Sequence, residues 1–198
     1  MQSIETEVKF RVADSEALEA KLAALEFHKV TARTFERNVL YDTPDRKLRS
    51  NGEILRIREY GPKWVVTNKR LPPNNSPEAR HKQRIEIETE VEDGEAIAAI
   101  LEHLGLQAAF TYEKWRAEWA DDRGHCVLDE TPIGVFAELE GPADWIDATA
   151  TKLGIDLSQL LTLSYGRLFD VWKEQTGSKA NDLTFAAIQG KDVHKDAR

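Results

Sequence analysis

The sequence predicts an α+β fold in which antiparallel strands close into a barrel and helices pack against the barrel's outer, apolar face. Three observations carry that expectation. Segments of strict apolar and polar alternation recur from Ile4 to Glu140, the period of a β-strand. Their polar faces are loaded with Glu, Lys and Arg, and like carboxylates stand two residues apart in "ETE", "EIE" and "ELE". Amphipathic helical stretches lie between and after them, so the apolar strand faces have something to bury against.

The first strand is "IETEVKF", where Glu5, Glu7 and Lys9 alternate with Thr6, Val8 and Phe10. Together with Arg11 the charged residues share one side, like positions about 7 Å apart. "DSEALEAKLAALEF" follows as a helix, with Asp14 or Ser15 as N-cap and Leu18, Leu22 and Leu25 at helical spacing. "TFERNVLYDTPDRKLRSNGEILRIREYG" reads as a strand to Tyr41, a loop through Pro44, a strand from Glu53 to Tyr60 and a turn at Gly61-Pro62. "KWVVTNKR" is a further strand. The proline- and asparagine-rich "LPPNNSPEARHK" is a loop, expected to flex and able to serve as a lid. "QRIEIETEV" restores alternation, and "DGEAIAAILEHLG" forms a helix capped by Asp93, with Ile97, Ile100, Leu101 and Leu104 as its apolar stripe. "FTYEKWRAEWA", "HCVLDET" and "GVFAELEG" complete the strands. "ADWIDATATKLG" and "SYGRLFDVWKEQ" are closing helices. One domain therefore spans residues 1–176, and the polar, weakly periodic residues 177–198 form a mobile tail.

Composition narrows the partners. The 198-residue chain has a net charge of -8 with 31% charged residues, which disfavours nucleic acid as a partner, because that binding depends on basic surface. No run approaches the roughly 18 apolar residues of a membrane span, and no export signal opens the chain. Cys126 is the only cysteine, so an internal disulfide is impossible and a reducing cytoplasm is expected. It reads as a small buried residue. The five histidines show no ligand spacing, and only His81, with Arg80 beside it in the loop, is placed to touch a substrate. The partner expected is a small molecule, and the chain a monomer or homodimer.

The charged faces decide what that molecule is. With Glu5 go Arg56 and Arg58, Thr67 and Lys69, then Arg84, Glu86, Glu88 and Glu90. Later strands add Lys114, Arg116, Glu118, Asp129, Glu138 and Glu140. The opposite faces carry Leu55, Ile57, Val66, Ile85, Ile87, Trp115 and Trp119, then Val127 or Leu128, and Phe136 or Ala137 to Leu139. An antiparallel sheet commonly turns one charged face to water. Carboxylates paired at i, i+2 raise the energy of such a sheet unless a cation lies between them. If the charged face instead curls inward, the lumen must hold ions, water or a charged ligand, since unpaired buried charges cost several kcal/mol each. Clustered carboxylates suit Mg2+ or Mn2+, and fixed Lys and Arg suit phosphate oxygens. A polyphosphate carrying a divalent metal satisfies both sets.

The ExExK pattern at Glu5, Glu7 and Lys9, followed in order by "YDTPDRKL", "LRIR", "TNK", "RIEIE", "KWR", "LDE" and "FAELE", resembles the CYTH superfamily, also called triphosphate tunnel metalloenzymes. The match runs from Ile4 to Tyr165. The resemblance implies an eight-stranded antiparallel tunnel that binds a triphosphate with divalent metal. It implies Glu5, Glu7, Glu138 and Glu140 as metal ligands, with Glu86, Glu88 and Asp129 holding a second ion or its waters. Lys9, Arg56, Arg58, Lys69, Arg84, Lys114 and Arg116 are then the phosphate ligands. Arg11 and Glu90 share the face near strand ends. "SYGRLF" is a candidate for closing the tunnel base, with Arg167 as an anion contact. The expected reaction is metal-dependent hydrolysis of inorganic triphosphate or of an organic one such as a nucleotide or thiamine triphosphate. Glu5, Glu7 and Lys9 are central to it, and Lys9 or a lumen carboxylate takes the proton of the attacking water. A class IV adenylate cyclase, making cyclic AMP and pyrophosphate from ATP, is the competing enzyme. A non-catalytic polyphosphate-binding module is the competing class.

Overall fold

In a computed structural model of the protein, residues 2–73 and 79–190 are described. Eight antiparallel strands form a closed barrel. They are β1 (Gln2–Arg11), β2 (His28–Asp42), β3 (Ile54–Tyr60), β4 (Lys63–Arg70), β5 (Lys82–Val91), β6 (Gln107–Ala120), β7 (His125–Thr131) and β8 (Gly134–Glu140). Their order around the barrel is β1-β5-β4-β3-β2-β6-β7-β8, so β1 is the stave that joins the β5 edge to the β8 edge. Its register sets opposite charges side by side at three positions, Glu5 with Arg84 and Glu7 with Lys82 on β5 and Lys9 with Glu138 on β8, and like charges at one, Glu7 with Glu140. Cross-strand pairs of opposite charge stabilise a sheet where like pairs would not.

Among the described residues six α-helices lie around the barrel: α1 (Ser15–Ala24), α2 (Lys47–Ser50), α3 (Gly94–His103), α4 (Ala143–Leu153), α5 (Tyr165–Thr176) and α6 (Phe185–Gln189). Asp14 and Asp93 cap α1 and α3 by accepting from the backbone N–H of Ala17 and Ala96. The main core lies outside the barrel, where Leu18 and Leu22 of α1 and Trp145, Ile146, Ala150 and Leu153 of α4 bury Val8, Phe10, Cys126, Leu128 and Leu139. Burial pushes the Cys126 thiol up to about 12, which leaves it inert. Of the expected stripe on α3, Ile100 and Leu104 are exposed. Among the described residues no helix is long and apolar enough to cross a membrane.

One open alternative is decided and two expectations are corrected. On β8 the outward residues are Ala137 and Leu139, whereas Phe136 joins Tyr112, Tyr165, Leu168, Phe169 and Leu183 in a second cluster. Between β2 and β3 the expected loop contains α2, built on Asp42, whose carboxylate accepts from the backbone N–H of Thr43, Leu48 and Arg49 at 2.7–3.0 Å. Folded structure does not stop at residue 176. Leu183 is fully buried and bridges to Tyr112 in parallel, with Leu183 N donating to Thr111 O and Glu113 N to Leu183 O, each at 3.0 Å. The segment from Gly177 to Gly190 docks through the buried Leu183 and Phe185, while Thr111 N donates to the Asp182 carboxylate at 2.7 Å and Phe185 N to that of Glu113 at 3.0 Å, a pattern without periodicity to read. The centre of the loop expected to flex, residues 74–78, and the end of the expected tail, residues 191–198, lie outside the described residues.

Candidate active site

The barrel encloses a cavity of about 630 Å3. Eleven Lys or Arg and nine Asp or Glu line it, so the site is net basic in a chain of charge -8. Strand alternation aims most of these side chains inward, while Arg46, Arg49, Glu53 and Arg167 reach the cavity from α2 and its flanks and from α5. On the β1 side, Lys69 Nζ donates to both oxygens of Glu5 at 2.6 and 2.7 Å and approaches Glu86 at 3.3 Å. Lys82 pairs with Glu7, and Lys9 with Glu138. Across the barrel, Arg58 donates to both oxygens of Glu88 at 3.2 Å, and Thr67 donates to the same carboxylate at 2.9 Å. Arg56 donates to Thr67 at 3.1 Å and to the Tyr112 hydroxyl at 3.2 Å. On β6 and β7, Asp129 accepts from Lys114 at 2.9 Å and twice from Arg116 at 2.7 Å.

The electrostatics divide the carboxylates into two kinds. Burial opposes ionisation of Glu7, but Lys82 and Lys9 outweigh it and bring its carboxyl down to about 2. Burial likewise opposes ionisation of Glu138, and Lys9, Arg116 and Lys114 hold it well below the ordinary range. Glu140 is the opposite case. Burial, then the negative charge of Glu5, with Glu7 and Glu138 adding to it, push it up to about 8 against the pull of Lys69. Glu86 is raised by burial and by Glu5 and Glu88, although Lys69 draws it down.

These carboxylates fit a hard divalent cation, because Glu5, Glu7, Glu138 and Glu140 come from the adjacent strands β1 and β8 and are all oxygen donors. The raised Glu140 is the mark of negative charge that a cation would relieve. Among the described residues no three such side chains are already gathered at ligating distance; Glu5, Glu7 and Glu138 are turned to Lys69, Lys82 and Lys9. Donors are also in excess. Among the described residues, the buried Nε groups of Arg56, Arg58 and Arg84 have no acceptor.

Every residue expected to bind phosphate, and every expected metal ligand except Asp129, lines the cavity. Asp129 is fully buried behind it, saturated by Lys114, Arg116 and the Tyr165 hydroxyl. Arg80 and His81 do not reach the cavity; both pair with Asp147 of α4. Arg11 lies over the Phe136 ring and Glu90 pairs with Lys63, each away from the lining. Arg167 does line it. Sequence reading missed Lys82, whose place two residues before Arg84 put it on the same face. It also missed Glu36, fully buried with Lys114 at 3.4 Å, Arg116 at 3.8 Å and Arg58 at 3.9 Å. "TFERN" gave little signal there, because Phe35 and Glu36 are both buried on opposite faces of one strand.

The CYTH domain model matches residues 3–155. The chain belongs to the CYTH domain family. Adenylate cyclase CyaB of Aeromonas hydrophila is 29% identical over 179 residues, 83% of this chain and 87% of that one. The CYTH fold is shared with the PH1012 protein of Pyrococcus horikoshii, at a TM-score of 0.71 and 22% identity over 83% of this chain and 98% of that one. HpAC1 of Hippeastrum, an adenylyl cyclase candidate described as having a dominant triphosphatase activity, superposes at a TM-score of 0.60 with 18% identity over 85% and 96% of the two chains. CYTH domains bind triphosphate substrates, and members of the family are enzymes.

Proposed function

We propose that this CYTH protein is a divalent-metal-dependent triphosphatase. The observation that carries the reading is the closed lumen lined by Lys9, Arg56, Arg58, Lys69, Arg84, Lys114 and Arg116, with three arginine Nε donors still unfilled. Cations on five strands suit an oxygen-rich anion that they touch from several sides at once. Mg2+ or Mn2+, held by Glu5, Glu7, Glu138 and Glu140 with Glu86 and Glu88 nearby, would supply charge neutralisation and an activated water.

The chain's own part is to hold the phosphates in line and to stabilise charge on the leaving group. Lys9, paired with Glu138 and facing Glu7, is held as an ammonium ion. It therefore donates to a phosphate oxygen, and the water's proton goes to a lumen carboxylate. Asp129 does not reach the cavity and acts by fixing Lys114 and Arg116.

A cyclase reading is favoured by the name of the Aeromonas relative and would place the α-phosphorus, not the terminal one, at the reacting position. Purified protein incubated with tripolyphosphate or with ATP, in Mg2+ or Mn2+, distinguishes the two by product. Orthophosphate is expected. Cyclic AMP as the main product would replace the proposal with the cyclase, and tight binding without turnover would make the protein a polyphosphate-binding module.

A further inference from the structure

The cavity is completed by a segment that lies after the stretch matched by the family model. That match ends at residue 155, while Leu161 and Tyr165 follow it. Lys9 is where they act. Beyond Glu7 the β1 strand has no register partner on β5, and Leu161 takes up that side: Lys9 N donates to Leu161 O at 2.8 Å and Leu161 N donates to Lys9 O at 2.7 Å. On the other side Lys9 stays in register with Glu138. Its backbone N–H and C=O are thus both taken by Leu161, and Glu138 stands opposite as a non-hydrogen-bonded register partner.

Four residues further on, the first residue of α5 enters the lumen. The Tyr165 ring has Lys9 Nζ 4.5 Å from its centroid and Lys114 Nζ at 4.8 Å, both within cation–π range. The two ammonium groups come from β1 and β6, which are not neighbours in the barrel. The same side chain donates its hydroxyl to Asp129 at 2.6 Å, the carboxylate that holds Lys114 and Arg116. Tyr165 is itself fixed from behind by Phe136 and Tyr112, with ring centroids 6.0 and 5.9 Å away. A phenol is suited to this place, because one face of an aromatic ring attracts cations while the hydroxyl meets an anion.

We infer that Tyr165 is a positioning residue of the active site, which holds two lysine ammonium groups of the lumen against its ring and locks the carboxylate behind them. Its role as a phosphate-site organiser rests on the proposed triphosphate chemistry; its hold on the lysines does not. Leu161 anchors the same lysine through the backbone, so the segment from Leu161 to Tyr165 works as one clasp on Lys9.

The experiment separates ring electrostatics from packing. Residue 165 is replaced by phenylalanine and, in a second protein, by pentafluorophenylalanine, which has nearly the same shape but a ring face that repels cations. In metal-free, ligand-free protein, the rates of amine acylation at Lys9 and Lys114 are measured by mass spectrometry, with the exposed Lys63 as internal reference. The fluorinated ring is expected to speed labelling of both lysines about 10-fold over the phenylalanine protein, with Lys63 unchanged. It is also expected to raise KM for tripolyphosphate by a similar factor over that of the Tyr165→Phe protein, which has itself lost the hydrogen bond to Asp129. Equal labelling in the two proteins would overturn the inference. Because labelling needs no substrate, a wild type without triphosphatase turnover would sink the functional proposal and still leave this comparison decisive.

Discussion

Replacing Glu36 by Gln tests whether buried cations in this barrel depend on buried carboxylates. Glu36 is fully buried and faces Lys114, Arg116 and Arg58 at 3.4, 3.8 and 3.9 Å. Glutamine keeps the shape and can still accept from Asn38, as Glu36 Oε1 does at 2.9 Å, so the change removes charge and little else. At an effective dielectric constant near 20 each of those attractions is worth about 4 kcal/mol, and the cost of burying the carboxylate cancels much of the sum. Breaking such a buried arrangement leaves a net loss of about 3–5 kcal/mol. For a domain of this size that lowers the melting temperature by about 6–20 °C. The assay is thermal unfolding without metal or phosphate, repeated with saturating tripolyphosphate. The polyanion should recover more stability in Glu36→Gln than in the wild type, because it supplies the negative charge that the three cations have lost. A variant melting within about 2 °C of the wild type without ligand would refute the reasoning.

Acid sensitivity should follow from the same residue. Against the cost of burial, Lys114, Arg116 and Arg58 hold the Glu36 carboxyl far below its ordinary value. The folded state therefore resists protonation there, and this stabilisation is present above about pH 4.5 and lost as pH falls below it. Urea unfolding from pH 6 to 3 should show a steeper loss in the wild type than in Glu36→Gln, and parallel slopes would contradict the assignment. Glu140→Gln should act in the opposite sense: relieved of repulsion from Glu5, the variant should melt higher than the wild type in chelator but gain less from Mn2+, as differential scanning would show. Leu183→Ala should cost about 2–5 kcal/mol in denaturant unfolding, since Leu183 is fully buried; a loss below 0.5 kcal/mol would mean that the segment after α5 does not dock as described.

The strands were legible because strand periodicity is local. Glu5, Glu7 and Lys9 must share a face whatever lies around them, and the same holds for Arg56 with Arg58 and for Glu138 with Glu140. The direction of that face was legible as well, since like carboxylates two residues apart are tolerable beside cations and not beside each other. Short alternating stretches were ambiguous where both phases carry large groups. In "GVFAELE" the phase was left open between Phe136 and Ala137, and only the aromatic cluster around Tyr165 shows why a phenylalanine faces inward. On β2 the neighbours Phe35 and Glu36 are both buried, and no periodicity could say which of them served the site.

The sequence by itself determined the charged staves and the helices with their aspartate caps at Asp14 and Asp93, and it is the source of the proposal of a metal-bound polyphosphate. These follow from side-chain period, capping and the balance of like and unlike charge, all readable within ten residues. Tertiary structure alone decided which acids face the cavity and which lie behind it. Glu140 and Asp129 read alike as acids on a charged face, yet one is left among carboxylates and the other is enclosed by Lys114, Arg116 and Tyr165. It also decided that residues beyond 176 belong to the fold and that the Tyr165 ring meets both Lys9 and Lys114. The physical reason is that barrel closure and the docking of α5 bring together groups more than one hundred residues apart, and the energy of a buried charge depends on those distant neighbours rather than on adjacent residues.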